Sequence, residues 1–175
     1  MNSGVSILLA PEPTRSRLLP PVANHLIRSA TIQDRAEIAR LTTELGYPAS
    51  PEDIGRRLER LLTSPNDAII VAESSSSDSG LIAWIHATLS QYLESDFRVE
   101  IAGLVVAKEF YRHGVGRALV ESVETWGVER GAVLASVRCK TTRAEAHRFY
   151  ESLGYVPAKT QTVFRKALPH ASTKE

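Results

Sequence analysis

A single cysteine, Cys139, in 175 residues excludes an internal disulfide framework and any zinc site built from several thiolates. Acidic and basic residues nearly cancel, 20 Asp+Glu against 21 Lys+Arg. The chain therefore has no broad basic surface of the kind that drives nucleic-acid binding, and any anion site has to be local. No apolar run approaches the roughly 18 consecutive residues that a membrane helix needs. The N-terminal VSILLA stretch is short and lacks a preceding basic region, so it does not read as a secretory signal. Internal repeats are absent, and no His, Cys, Asp or Glu cluster has metal-ligand spacing, which predicts no metal. With few thiols and no export signal, a reducing cytoplasm is the expected location. The remaining composition, 43% apolar and 23% charged, is that of a soluble globular protein. Its length suits one domain, expected over residues 23–170, with residues 1–22 a proline-rich mobile tail and 171–175 a C-terminal tail.

Periodicity orders the elements. His25 to Ser29 is extended, and Thr31 with Asp34 three residues on caps a helix that runs to about Leu45 and ends at Gly46 and Pro48. Ser50-Pro51 opens a second helix whose apolar face is Ile54, Leu58, Leu61 and Leu62. Ala68 to Glu73 and Leu81 to Leu89 read as antiparallel strands around the serine-rich turn Ser74 to Gly80. Arg98 to Ala107 is the most apolar strand. Strict alternation puts Glu100, Ala102, Leu104 and Val106 on one face and Val99, Ile101, Gly103 and Val105 on the other, with Gly103 marking a bulge or a close backbone approach. A long helix from Gly114 or Val115 to about Arg130 stops at Gly131. Val133 to Cys139 returns as a strand, Arg143 to Leu153 as a helix ended by Gly154, and Tyr155 to Leu168 as one or two closing strands. The order predicts an α+β or mixed α/β sheet rather than an alternating Rossmann array.

The segment Tyr111-Arg-His-Gly-Val-Gly-Arg-Ala-Leu119 joins the apolar strand to the long helix through a G-x-G turn. Glycine lets a backbone turn sharply and approach a ligand, and the first helical turn offers N–H groups without intrahelical acceptors. The same residues serve equally as a tight turn with no ligand. A pyrophosphate could be held there largely by main chain, with Arg112 and Arg117 adding charge. A dinucleotide fingerprint needs a third small residue where Leu119 stands, and the Gly-Lys-Ser/Thr of a P-loop is absent.

These residues, IAGLVVAKEFYRHGVGRALVESVETW followed by RAEAHRFYESLGY and a terminal VFRKAL, resemble the GNAT superfamily of acetyl-CoA-dependent N-acetyltransferases. The likeness runs from about His25 to Leu168 and is strongest across Glu100 to Tyr155. It implies a twisted, mostly antiparallel sheet with a splayed parallel strand pair, flanked by about four helices. The family's pyrophosphate motif, Gln/Arg-x-x-Gly-x-Gly/Ala, falls on Tyr111, Gly114 and Gly116, with the arginine displaced to Arg112. Arg112, His113, Gly114, Val115, Gly116 and Arg117 would then form the coenzyme A cradle. The second motif, Asn-x-x-Ala-x-x-aromatic-Tyr, falls on Arg143, Ala146, Phe149 and Tyr150, so arginine replaces asparagine and would meet the pantetheine or the phosphates. By the same likeness, main-chain groups of Leu104, Val105 and Val106 would bind the pantetheine arm and polarise the thioester.

The implied reaction is direct attack of a primary amine, on a small molecule or a peptide, on the acetyl thioester. An alkylamine of pKa about 10.4 is free base in roughly one molecule in two thousand at pH 7, whereas a thiolate of pKa about 8.5 leaves with little help. Deprotonating the amine is therefore the larger task. Glu100 is the first candidate base, by resemblance to an acidic position in some family members, and His86 the second. Tyr150 matches the family tyrosine that protonates the departing thiolate. Against these roles, Glu100 also reads as a strand-end carboxylate in a salt bridge, and Tyr150 as a core residue. His147 and Glu151 read as a surface pair, Cys139 as a small strand residue, and Trp84 and Trp126 as core. The acceptor is expected to be set by the two leading helices, the Gln91 to Phe97 loop and the closing strands; Glu94 and Asp96 in that loop could attract a cationic amine but read first as solvated. Dimerisation is common in the family and is left open by the sequence. A non-catalytic acyl-CoA-binding module is the alternative function.

Overall fold

The computed structural model describes residues 25–75 and 80–168. The expected tails 1–22 and 171–175, and most of the serine turn, lie outside the described residues. A five-stranded sheet is formed by β1 (His25–Ser29), β2 (Asp67–Ser74), β3 (Leu81–Tyr92), β4 (Ser95–Val106) and β5 (Leu134–Val137), in the spatial order β1-β2-β3-β4-β5. Every neighbouring pair is antiparallel except β4 and β5, which run parallel. Four helices flank it: α1 (Arg35–Glu44), α2 (Pro51–Leu61), α3 (Val115–Val128) and α4 (Ala144–Ser152).

Local chemistry explains the helix starts. The Thr31 N–H donates to Asp34 Oδ2 at 2.7 Å and a short 3₁₀ turn, Ile32–Asp34, leads into α1. Arg28 on β1 donates to both oxygens of the same carboxylate, each at 2.8 Å, tying the helix entry to the sheet edge. Ser50 Oγ accepts from the Asp53 N–H at 3.1 Å, and Pro51 fills the first position of α2, where no N–H is needed. Gly131 and Gly154 follow α3 and α4 at positive φ, +87° and +94°, the left-handed conformation that ends a helix cheaply only in glycine.

The sheet has two buried faces. One packs against α3 and α4 through Ala83, Ile85, Ala87, Val99, Ile101, Val115, Leu119, Val120, Val123 and Tyr150. The other packs against α1 and α2 through Ile38, Leu41, Ile54, Leu58, Ile69, Val71 and Val105. Gly127 brings α3 close to the sheet, since a Cβ there would lie 2.9 Å from Val99. Trp126 and Trp84 sit half-buried at the margins of these cores.

Three expectations need correction. The strict alternation of β4 breaks, because Ala87 pairs with Ile101 and His86 with Gly103, leaving Ala102 as a bulged extra residue. Leu104 and Val106 consequently join Val99 and Ile101 on the α3/α4 face, while Val105 turns to α1 and α2. Glu100 lies opposite Thr88, one β3 alternation from His86 and Trp84, and so shares their face instead of that of Leu104 and Val106. The bulge was legible from Gly103, which the Trp84 ring covers so closely that a Cβ would stand 2.9 Å from it.

The expected loop Gln91 to Phe97 is a tight hairpin, with β3 reaching Tyr92 and β4 beginning at Ser95. Residues 156–168, expected as strands, form no helix or strand and are exposed. The even-numbered positions Val156, Ala158, Phe164 and Leu168 are the more apolar set, yet no strand pairs with this stretch among the described residues.

Candidate active site

The chain leaves β4 at Val106, makes a 3₁₀ turn over Lys108–Phe110, and reverses into α3 through two left-handed residues, Arg112 at φ 64° and Gly114 at φ 80°. A non-glycine residue in that region costs about 1–2 kcal/mol. The result is a row of donors: among the described residues, the backbone N–H groups of Arg112 through Arg117 find no acceptor, and the ladder of α3 begins with Ala118 N–H to Gly114 O at 3.0 Å. They lie at the positive end of a helix, where an anion is stabilised by main chain alone. Gly116 keeps this end tight against its surroundings, since a Cβ would come to 3.3 Å from Phe149 and 3.6 Å from Val106. The two flanking arginines differ. Arg117 is drawn to the Ser152 carbonyl at 3.3 Å and to Glu121 at 3.6 Å, while Arg112 is exposed and forms no ion pair among the described residues. His113 packs edge-on to Phe110, and burial, with a smaller contribution from His113, lowers the pKa of His25 at the start of β1.

Beyond Ile101, paired with Val137, β4 and β5 no longer pair, so Leu104, Val105 and Val106 lie along an opening between the two strands. Tyr150 of α4 packs into the α3/α4 core at 9% exposure, its ring edge-on to Phe149 at 5.0 Å and Tyr155 at 5.4 Å. Burial, with a smaller contribution from the Cys139 thiol, raises its pKa well above that of free tyrosine, so the hydroxyl is protonated at neutral pH. It makes no hydrogen bond among the described residues. The Tyr155 hydroxyl, by contrast, donates to Glu124 at 2.7 Å. Burial likewise raises the Cys139 pKa, which keeps that thiol protonated.

On the other face of the sheet, Glu100 is 7% exposed and its Oε1 accepts from Arg138, just past β5. Oε2 has no partner among the described residues. His86 Nε2 is engaged with Asp67 Oδ1 at 2.9 Å. Arg143 stands at the N-cap of α4 and donates from Nη2 to the Leu45 carbonyl at 3.2 Å, at the end of α1. His147 does not pair with Glu151; its Nε2 bonds the Lys140 carbonyl at 3.0 Å. Sequence reasoning missed Arg138 and Lys140. The signal that reaches them is the parallel register, which sets Glu100 opposite Ser136 and so brings Arg138 to it across 38 positions of sequence. Among the described residues no group of His, Cys, Asp and Glu is placed to hold a metal, and no helix is long and apolar enough to cross a membrane.

Residues 33–155 match the model of the acetyltransferase (GNAT) family. No curated protein matches the sequence. Solved structures share the fold. The aminoglycoside 6'-N-acetyltransferase AAC(6')-Ih of Acinetobacter baumannii is 17% identical with a TM-score of 0.72, covering 83% of this chain and 99% of its own. AAC(6')-Iy in complex with CoA is 19% identical with a TM-score of 0.74, covering 86% and 100%. Glucosamine-6-phosphate N-acetyltransferase of Arabidopsis thaliana is 20% identical with a TM-score of 0.70, covering 81% and 97%. The glycine turn after a bulged strand, the parallel pair that parts beside it, and a family match across most of the chain lead to one conclusion: this protein belongs to the GNAT acetyltransferase family.

Proposed function

We propose that the protein is an N-acetyltransferase that moves the acetyl group of acetyl-CoA to a primary amine by direct attack. The observation that carries this reading is the row of unpaired N–H groups from Arg112 to Arg117 at the start of α3. An anion as large as a pyrophosphate satisfies several such donors at once. Arg112 adds charge from the solvent side, and Leu104, Val105 and Val106 supply main-chain groups along the opening for an extended arm. In this reading Arg143 borders the same opening from α4.

Acetyl-CoA supplies an activated thioester. The chain's own groups handle the protons. As the amine nitrogen bonds the carbonyl carbon and the carbon–sulfur bond breaks, the amine loses a proton and the sulfur gains one. Tyr150 holds a proton that burial keeps on its oxygen, and its hydroxyl is free to give that proton to the departing thiolate. Glu100 lies four residues ahead of Leu104, about 13 Å of extended strand. It therefore receives the amine's proton through solvent, on the unengaged Oε2. His86, tied to Asp67, is the less available base.

The test is an acetylation screen over amino acids, amino sugars, polyamines and peptide N-termini, read by product mass and by thiol release. Turnover with at least one amine is expected, and Tyr150→Phe should lower kcat on the order of 10-fold with acetyl-CoA affinity little changed. Binding of acetyl-CoA with no thiol release from any amine would instead mark an acyl-CoA-binding module.

A further inference from the structure

The loop between β5 and α4 carries three cations, Arg138, Lys140 and Arg143, and all three reach the same side of the sheet. Arg138 bonds Glu100 on β4, the Lys140 ammonium stands 5.8 Å from the centre of the Tyr47 ring, and Arg143 holds the Leu45 carbonyl. Leu45 and Tyr47 belong to the end of α1 and the connection to α2, so these side chains span the mouth of the β4–β5 opening towards α1 and α2. The facing carboxylate is Glu100, which answers only one of the three charges.

Of the remaining acidic groups, Glu145 in the first turn of α4 stands exposed two residues past Arg143, which leaves three cations against Glu145 and Glu100. Asp67 is engaged with Ser64 and His86, and Glu44 with Arg40. Glu94 and Asp96 lie in and beside the hairpin that begins β4, with Asp96 four residues, or about 13 Å of strand, ahead of Glu100. The mouth of the opening is thus locally cationic in a chain whose overall charge is close to neutral.

Arg138 is built for recognition more than for stability. Its side chain is 75% exposed while that of Glu100 is 10% exposed. The buried carboxylate fixes one corner of the guanidinium fork, and the other N–H donors face solvent in the planar geometry that matches a carboxylate or a phosphate.

We propose that the acceptor amine of this enzyme carries an anionic group, a carboxylate or a phosphate, which is taken by Arg138 with Lys140 and Arg143 beside it. The amine end then points along β4 to Leu104 and Tyr150. Polycationic acceptors such as aminoglycosides, named for two of the solved structures of this fold, are repelled by the same three charges. The inference rests on the acetyltransferase reading and names the substrate class of that site.

Matched amines separate the two. Phosphoethanolamine is compared with ethanolamine, glucosamine 6-phosphate with glucosamine, leucine with leucinamide, and neamine serves as the polycation. Turnover is read by thiol release, and binding to the CoA-loaded protein by calorimetry, so that a charge preference registers with or without chemistry. The anionic member of the phosphate or of the carboxylate pair should exceed its neutral twin on the order of 10-fold, and the pair that does so identifies the group. Arg138→Gln should remove that advantage with the acetyl-CoA KM unchanged, and Arg138→Lys should restore part of it, which a merely structural role does not predict. Circular dichroism verifies that both variants fold; should the Gln variant fail, Lys140→Gln carries the same comparison with a smaller loss. Equal use of neutral and anionic twins, preference for neamine, or no binding of any anionic member overturns the inference. The acetyltransferase reading fails separately, by absence of acetyl-CoA binding or of thiol release.

Discussion

The two faces of the sheet do different work with different materials. Facing α3 and α4, the candidate carrier site is made of backbone: a glycine turn, a row of free N–H groups and a strand whose outer edge has lost its partner. Its chief side-chain contribution is one buried tyrosine. Facing α1 and α2, the polar features are side chains in pairs, Arg138 with Glu100, His86 with Asp67 and Arg28 with Asp34. In the proposed reading, backbone donors meet a group common to every carrier molecule, while side chains are free to change with the acceptor.

Substitutions can break that division. The largest effect is expected on the α3/α4 core: Leu119 is fully buried, and Leu119→Ala should cost about 2–5 kcal/mol of stability in urea unfolding. Gly114→Val comes next. It forces a branched residue into the left-handed region at a cost of about 1–2 kcal/mol or more, and should weaken acetyl-CoA binding on the order of 10-fold by calorimetry. An unchanged affinity would mean that the backbone turn is not the carrier site.

On the opposite face, Asp34→Asn should cost about 1–2 kcal/mol, allowing for the solvent-facing side of Arg28, and leave carrier affinity intact. The hydrogen bonds from Arg28 hold the Asp34 carboxyl below its ordinary pKa. Its contribution is therefore fully present above the ordinary carboxyl range and is lost as pH falls through the depressed folded value. Acid unfolding of the variant should lack that increment. The smallest effect belongs to Arg117→Gln. With its guanidinium turned to Ser152 and Glu121, acetyl-CoA affinity should change by no more than about 3-fold, within the range of an exposed charge.

What could be read from the sequence follows the same line. Gly114 and Gly116, the Thr31 and Ser50 caps, and the helix stops at Gly131 and Gly154 announce themselves because each is a local backbone requirement met by one residue type. The phase switch at Ala102 was only half legible: Gly103 marked the place, but which residue bulges depends on the register against β3. The pairing of Arg138 with Glu100 was hidden, since it arises from the parallel alignment of two strands far apart in sequence. Tyr155 to Leu168 reads as closing strands, and its apolar even-numbered positions suit one, but a strand also needs a pairing partner, which a single segment of sequence does not reveal and which residues 156–168 lack among the described residues.

The central claim is that the N–H groups of Arg112 through Arg117 grip the carrier's pyrophosphate. Amide-resolved NMR of the ¹⁵N-labelled full chain, titrated with coenzyme A, addresses each of those groups directly. The account predicts that the amide resonances of residues 112–117 shift together and gain protection from exchange as the carrier binds. Saturable binding that moves other amides and leaves these unperturbed would contradict it.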